Sequence, residues 1–140
     1  MQTIIGSGGA IGTELAKALL AYTQQIRLVS RNPKKVNDTD EIFSADVLDS
    51  NSIVYVTVGF TYSHQQWAKK WIPFVKDLIN ICSENNCKLV FFDNVYMYDP
   101  NFLNGMTEET QVNPSSKKGV IRAEIAKMIL DAIAAKKLKA

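Results

Sequence analysis

Residues 4–12 read Ile4-Ile5-Gly6-Ser7-Gly8-Gly9-Ala10-Ile11-Gly12, an apolar pair followed at once by glycines recurring at positions 6, 9 and 12. Upstream, Thr3 to Ile5 suit a buried strand. Downstream, Ile11, Leu15, Ala18 and Leu19 return at three-to-four spacing, the period of a helix laid against a sheet. A glycine turn placed between a strand and a helix exposes main-chain N–H groups at the positive helix end, where a pyrophosphate can sit. Gly6 then permits the tight turn, Gly9 the close phosphate contact and Gly12 the near packing of helix on strand. Gly8, Ala10 and Ile11 complete the cradle. A glycine-rich turn of purely structural use is the other reading. A triphosphate-binding loop is excluded, because it needs Gly-Lys-Ser/Thr and Gly12 leads into Thr13-Glu14.

Outward from this stretch, strand candidates follow at Ile26 to Ser30, Glu41 to Ala45, Ile53 to Val58 and Lys88 to Phe92. Their nearly continuous Ile, Val, Leu and Phe content suits strands covered on both faces, hence a parallel sheet. A second helix carries Trp67, Trp71, Phe74, Val75, Leu78, Ile79 and Cys82 on one face, with Pro73 kinking it or starting its main portion. A third runs from Lys117 to Ala135 behind Pro114-Ser115-Ser116, and its closing Lys136, Lys137 and Lys139 complement the negative helix end. The alternation predicts an α/β fold with a doubly wound parallel sheet. At 140 residues the chain fits one domain, and 46% hydrophobic against 21% charged residues excludes disorder. A formal charge of +2 supplies no broad field for nucleic acid or acidic lipid. Apolar runs are a few residues long where a membrane span needs about 20, and no basic leader precedes the first strand, so the cytoplasm is the expected compartment. Cys82 and Cys87 match neither zinc nor redox spacing and are expected to be buried, idle thiols, and no metal site is expected.

The end of the second strand reads Ser30-Arg31-Asn32-Pro33-Lys34-Lys35. An acidic residue there would accept from an adenosine 2′-hydroxyl, whereas the planar fork of Arg31 pairs with a 2′-phosphate and Ser30 adds a hydroxyl. NADP is therefore favoured over NAD; a solvated basic turn is the alternative. In a doubly wound sheet, ligands lie outside the carboxyl ends of the strands. Asp46 and Val47 are accordingly placed at the adenine edge and Gly59 near the middle of the cofactor, although either aspartate of Asp46–Asp49 also suits a strand end or turn cap.

Taken together, these residues resemble the extended and atypical short-chain dehydrogenase/reductases, the NAD-dependent epimerase/dehydratase group. Gly6-x-x-Gly9-x-x-Gly12 has that superfamily's glycine spacing, Phe91-Phe92-Asp93-Asn94-Val95-Tyr96-Met97-Tyr98 is similar to its fifth-strand segment, and Thr107-Glu108-Glu109-Thr110-Gln111-Val112-Asn113-Pro114 to its loop before the active-site helix. The resemblance implies a Rossmann-type NAD(P)-binding domain acting on a sugar-nucleotide or other small-molecule substrate. It also implies a Tyr-x-x-x-Lys pair, in which lysine lowers the tyrosine pKa and tyrosine exchanges a proton while hydride moves. The chain departs here. None of the tyrosines at 22, 55, 62, 96 and 98 has lysine four residues on, and the nearest counterpart is Lys118-Gly119-Val120-Ile121-Arg122. The usual hydroxyl position after the fifth strand is Asp93 or Asn94. Tyr96, Tyr98, Asn94 and Lys118 are the catalytic candidates, and His64 is assigned to the surface.

The resemblance also implies strand order 3-2-1-4, so the connection between strands three and four must cross about 14 Å of sheet and about 20 Å in all. Asp49 to Ser52, four residues, reach about 14 Å. A crossover helix is therefore expected to be missing near 49–52, the chain is expected to stop before its sixth strand and to lack the substrate-binding part, and uncovered apolar surface favours a homodimer. Three functions compete: an enzyme-derived NADP domain, a cofactor sensor that has abandoned chemistry, and a partner-binding domain without nucleotide.

Overall fold

The computed structural model describes residues 1–43 and 48–140. Five strands are ordered β3-β2-β1-β4-β5, all parallel: β1 (Gln2–Ile5), β2 (Ile26–Val29), β3 (Glu41–Phe43), β4 (Ile53–Val56) and β5 (Lys88–Phe91). Three helices flank them: α1 (Ala10–Leu19), α2 (His64–Glu84) and α3 (Lys117–Ala134). Successive strand side chains point to opposite faces. Ile4, Ile26 and Leu28 meet Ala16 of α1 on one face. On the other, Ile5, Val29, Val54, Val56 and Leu89 meet Trp67, Trp71, Val75 and Leu78 of α2 and Ile121, Ile125 and Ile129 of α3. Each such aliphatic side chain withdrawn from water contributes about 1.5–3 kcal/mol. The fold is the α/β doubly wound parallel sheet.

Four features of the geometry bear on the sequence expectations. α2 is one helix of 21 residues that starts at His64 and runs through Pro73. Pro73 is exposed, so the main-chain carbonyl it leaves unbonded one turn earlier can be hydrated. No helix joins β2 to β3. There, the buried Asp40 accepts from the amides of Val36 and Asn37 at 3.0 and 2.7 Å and from Asn37 Nδ2 at 3.1 Å, while Asn37 Nδ2 also reaches the carbonyl of Ala16 at 3.0 Å. Side chains thus replace a helix's own ladder in tying this connection to α1.

The third concerns the β3–β4 crossover. Asp49 does not border the cofactor edge: its carboxylate lies 3.1 Å from Arg27 Nη1, beside the turn whose Asn51 amide donates to the Asn85 carbonyl at 2.9 Å. Leu48 packs with the core on the α2 side. Asp49 to Ser52 thus lie in the turn that leads into β4, and nine residues, 44–52, link β3 to β4. Residues 44–47, including Ala45 and the cofactor candidates Asp46 and Val47, lie outside the described residues. Fourth, the residues after α3 return to the edge of β5 in an isolated bridge rather than a strand. Lys136 takes a left-handed φ of 57° after α3, Leu138 is buried, and Lys139 bridges Lys88 in parallel, its carbonyl accepting from the Leu89 amide at 2.7 Å.

Both thiols are free and buried, and burial, with the neighbouring Cys87, pushes the Cys82 thiol up to about 12. Among the described residues no helix is long and apolar enough to cross a membrane. Removing the Asp40 carboxylate strands buried amide donors, a loss of about 2–3 kcal/mol. Asp40→Ala is expected to lower the urea midpoint accordingly, with an unchanged slope.

Candidate functional site

The glycine turn lies at the carboxyl end of β1, and its geometry separates what the fold requires from what it leaves open. Gly6 has φ of 94°, and a Cβ there would stand 2.7 Å from the Val58 nitrogen. A Cβ on Gly12 would lie 2.7 Å from the Gly6 carbonyl oxygen and 2.8 Å from Ser7 Cα. Both contacts are with main chain and cannot yield. Thr57 closes the turn from β4, its hydroxyl donating to the carbonyls of Ile5 and Gly6 at 3.3 Å each. Gly9 differs: a Cβ there would meet only the Gly6 oxygen, at an ordinary 3.6 Å. Packing does not require glycine at this position, which caps α1 with no side-chain hydrogen bond.

Gly8, Gly9, Ala10 and Ile11 are exposed. The first amides of α1 have no intrahelical acceptor, and its first turn holds no acidic residue to cancel the positive end. Beside them the hydroxyls of Ser7 and Ser30 are buried without a hydrogen-bond partner, a cost of about 1–3 kcal/mol for each unsatisfied group. A Cβ on Gly8 would lie 3.7 Å from Ser30 Oγ, so the ends of β1 and β2 converge here. Arg31 is exposed directly beyond, and Gly59, after β4, is exposed with nothing within 4 Å of a Cβ. An anion with two linked phosphates fits this donor set.

The catalytic candidates are dispersed differently from the expectation. Tyr96 and Lys118 come together in a cavity of about 280 Å³, lined also by Tyr62, His64, Ser116 and Lys117, at the carboxyl ends of β4 and β5. Lys118 Nζ stands 3.0 Å from the centre of the Tyr62 ring, and the Tyr62 hydroxyl donates to that of Tyr96 at 3.5 Å. This coupling to Tyr62 raises the Tyr96 phenol above its ordinary value, against the pull of Lys118. Asn94 is a turn cap, its side-chain oxygen accepting from the Tyr96 amide at 3.1 Å. Tyr98 does not line the cavity; it bridges Val112 across the loop. Tyr62 was missed in the sequence, where no spacing links it to Tyr96 or Lys118; His64, assigned to the surface, is exposed and also lines the cavity.

Arg122, at the position matched to the family's lysine, is buried. Its Nε donates to Asp93 Oδ1 at 2.7 Å, its Nη2 pairs with the same carboxylate, and its guanidinium carbon lies 4.5 Å from the Trp71 ring centre. The side chain is held in the core rather than offered to the cleft. Among the described residues no group of three or more His, Cys, Asp and Glu side chains is placed to hold a metal ion.

Comparison with solved structures sets this geometry among known folds. UDP-galactose 4-epimerase superposes with a TM-score of 0.79 at 16% identity, over 96% of this chain and 52% of its own. The fold is Rossmann-type. UDP-glucuronic acid 4-epimerase from Bacillus cereus in complex with UDP-glucuronic acid and NAD matches with a TM-score of 0.77 at 16% identity, over 99% and 54%. A mutated uronate dehydrogenase matches with a TM-score of 0.78 at 14% identity, over 95% and 54%. The chain spans about half the length of each. No family model matches the chain, and no curated protein matches it.

Two outcomes test the site as a physical object. Gly12→Ala is expected to cost about 1–3 kcal/mol through its main-chain clashes, whereas Gly9→Ala stays within about 0.5 kcal/mol, both read by urea denaturation. The loop carrying Tyr96 continues into Asp99, whose carboxylate accepts from Asn113 Nδ2 and the Asn101 amide at 2.9 Å each; the Asn113 bond first, then Asn101, holds it below the ordinary carboxylate range. A depressed folded value means the tether is complete above the ordinary carboxylate pKa and is released as pH falls through the lowered one. NMR signals of Asn101 and Asn113 are expected to hold steady from pH 7 to about 4 and to move only below.

Proposed function

We propose that the chain is the NADP(H)-binding part of an oxidoreductase or epimerase of the NAD-dependent epimerase/dehydratase type, working in the cytoplasm on a sugar nucleotide or another small molecule. The observation that carries this reading is the glycine turn: unneeded bareness at Gly9, free α1 amides and two partnerless buried hydroxyls converge on one surface. Gly6 to Gly12 would hold the linked phosphates, Ser7 and Ser30 would donate beside them, Arg31 would take a 2′-phosphate, and Gly59 would let the middle of the dinucleotide approach. Asp46 and Val47 would border the adenine. A bound nicotinamide would supply hydride exchange. The solved structures it resembles are nucleotide-sugar epimerases and a uronate dehydrogenase, and their double length supports a sugar-binding part outside residues 1–140.

Near the reacting end, Tyr96 would present its hydroxyl to the substrate, with Lys118 and Tyr62 against it and Asn94 fixing its main chain. One feature supports a second reading, a dinucleotide-binding module without turnover: Arg122 is committed to Asp93 in an aromatic pocket, so the guanidinium does not take the part of the family's lysine.

Titration of the protein with NADPH and NADH, followed by nicotinamide fluorescence, tests the assignment. NADPH is expected to bind more tightly, and Arg31→Ala to lose about 1.5–3 kcal/mol, roughly 10- to 150-fold, for NADPH alone. Gly9→Asp is expected to abolish binding of both while the protein stays folded. No binding of either cofactor would remove the proposal; equal loss of NADH and NADPH in Arg31→Ala would remove its NADP preference.

A further inference from the structure

We infer that the cavity between α2 and α3 is an anion subsite, and that the small molecule this protein accepts carries a carboxylate or phosphate group there. Its charges are unbalanced: Lys117 and Lys118 line it together with His64, Tyr62, Tyr96 and Ser116, and no carboxylate is among the described lining residues. None of these three basic groups takes part in an ion pair among the described residues. Asp93, after β5, is already bound to Arg122.

The placement of the lysines is itself unfavourable to the fold. Lys117 and Lys118 occupy the first turn of α3, where the positive helix end repels cations and favours acidic residues. Lys118 recovers part of that cost by lying on the Tyr62 ring, but exposed Lys117 gains no comparable contact. A second helix start adds to the same sign: α2 opens at His64 with no acidic residue in its first turn. Two lysines in the first turn of a helix, in a concave place and without an ion pair among the described residues, mark a site shaped for an anion.

The remaining chemistry fits the same ligand. Tyr62 and Tyr96 hydroxyls are 3.5 Å apart, too long to satisfy each other fully, so each retains capacity toward a guest. At about 280 Å³ the cavity lies at the low end of small-molecule sites, roughly 300–1,000 Å³, suited to a single sugar-sized acid. It opens at the carboxyl ends of β4 and β5, next to β1 and its glycine turn, so a molecule held there by its anion lies on the same edge as the proposed dinucleotide site. Calling that molecule a substrate rests on the dinucleotide reading; the anion preference does not.

The test is ¹H–¹⁵N NMR titration with D-glucuronate, D-glucose 6-phosphate and D-glucose. One or both anionic sugars are expected to shift the Ser116, Lys117 and Lys118 amides and the His64 ring, the tighter of the two identifying the anion, while glucose leaves them in place. The double variant Lys117→Ala/Lys118→Ala is expected to weaken the effect at least about tenfold, and Lys118→Arg to retain it. Equal shifts with glucose, shifts confined to other surfaces, no shifts with any of the three, or an undiminished response in the double variant would overturn the inference. NADPH titration of the same samples separates the two claims: a folded double variant that binds NADPH but not the acid supports both, wild-type protein that binds NADPH and neither acid sinks only the subsite, and binding of the acid without NADPH sinks only the dinucleotide reading.

Discussion

The main chain at Gly6 and the start of α1 must pass within touching distance of each other and of Thr57, and the rest of the molecule is arranged around that contact. With φ of 94° at Gly6 and no room for a Cβ on Gly12, the turn brings α1 down onto β1 and β2 and lets Ala16 seal the first face of the sheet. The same compression leaves the first amides of α1 pointing outward beside the Ser7 and Ser30 hydroxyls. Packing and exposure therefore share one cause. What stabilises the helix against the sheet also bares the donors, while at Gly8 and Gly9 packing makes no demand for glycine.

The opposite end of the cleft follows a different logic. In the family this chain resembles, a tyrosine and a lysine one helical turn apart are directed at the substrate. Here, the residue one turn after Lys118 is Arg122, buried against Asp93 and Trp71. Breaking such a pair from one side leaves an uncompensated buried charge, at a cost of about 3–5 kcal/mol, so the arrangement is held firmly in place. The cavity instead gathers side chains from other segments: Tyr62 from beyond β4, Tyr96 from the turn after β5, Lys118 from the start of α3. The glycine-turn end of the cleft matches the resemblance closely, whereas the end at Arg122 departs from it.

The connections on the β3 side are economical. One relies on Asp40 to satisfy amides that a helix would satisfy by itself, and the other delivers Leu48 to the core and Asp49 to Arg27 before the chain enters β4. Arg27 is gripped on one side by Glu41, at 2.9 Å, and on the other by Asp49, so the edge of the sheet is tied by charge where a helix would tie it by apolar contact.

Local patterns were enough for the architecture. Glycines between an apolar strand and an amphipathic helix, five strand-like runs and two further apolar stripes fix a parallel doubly wound sheet and its glycine turn, because periodicity and backbone freedom act over a few neighbouring residues. Strand ends, the course of α2 through Pro73 and the path of the β3–β4 crossover depended on which carbonyls meet water and which side chains find partners across the sheet. The site divides along the same line. Gly6, Gly9 and Gly12 were legible as a unit, since they lie within one turn, whereas the meeting of Tyr62, Tyr96 and Lys118 joins segments 34 and 22 residues apart in turn, and the capture of Arg122 by Asp93 joins two that are 29 apart. Such encounters are decided by packing of α2 and α3 on one face of the sheet, a long-range outcome that no spacing in the chain encodes.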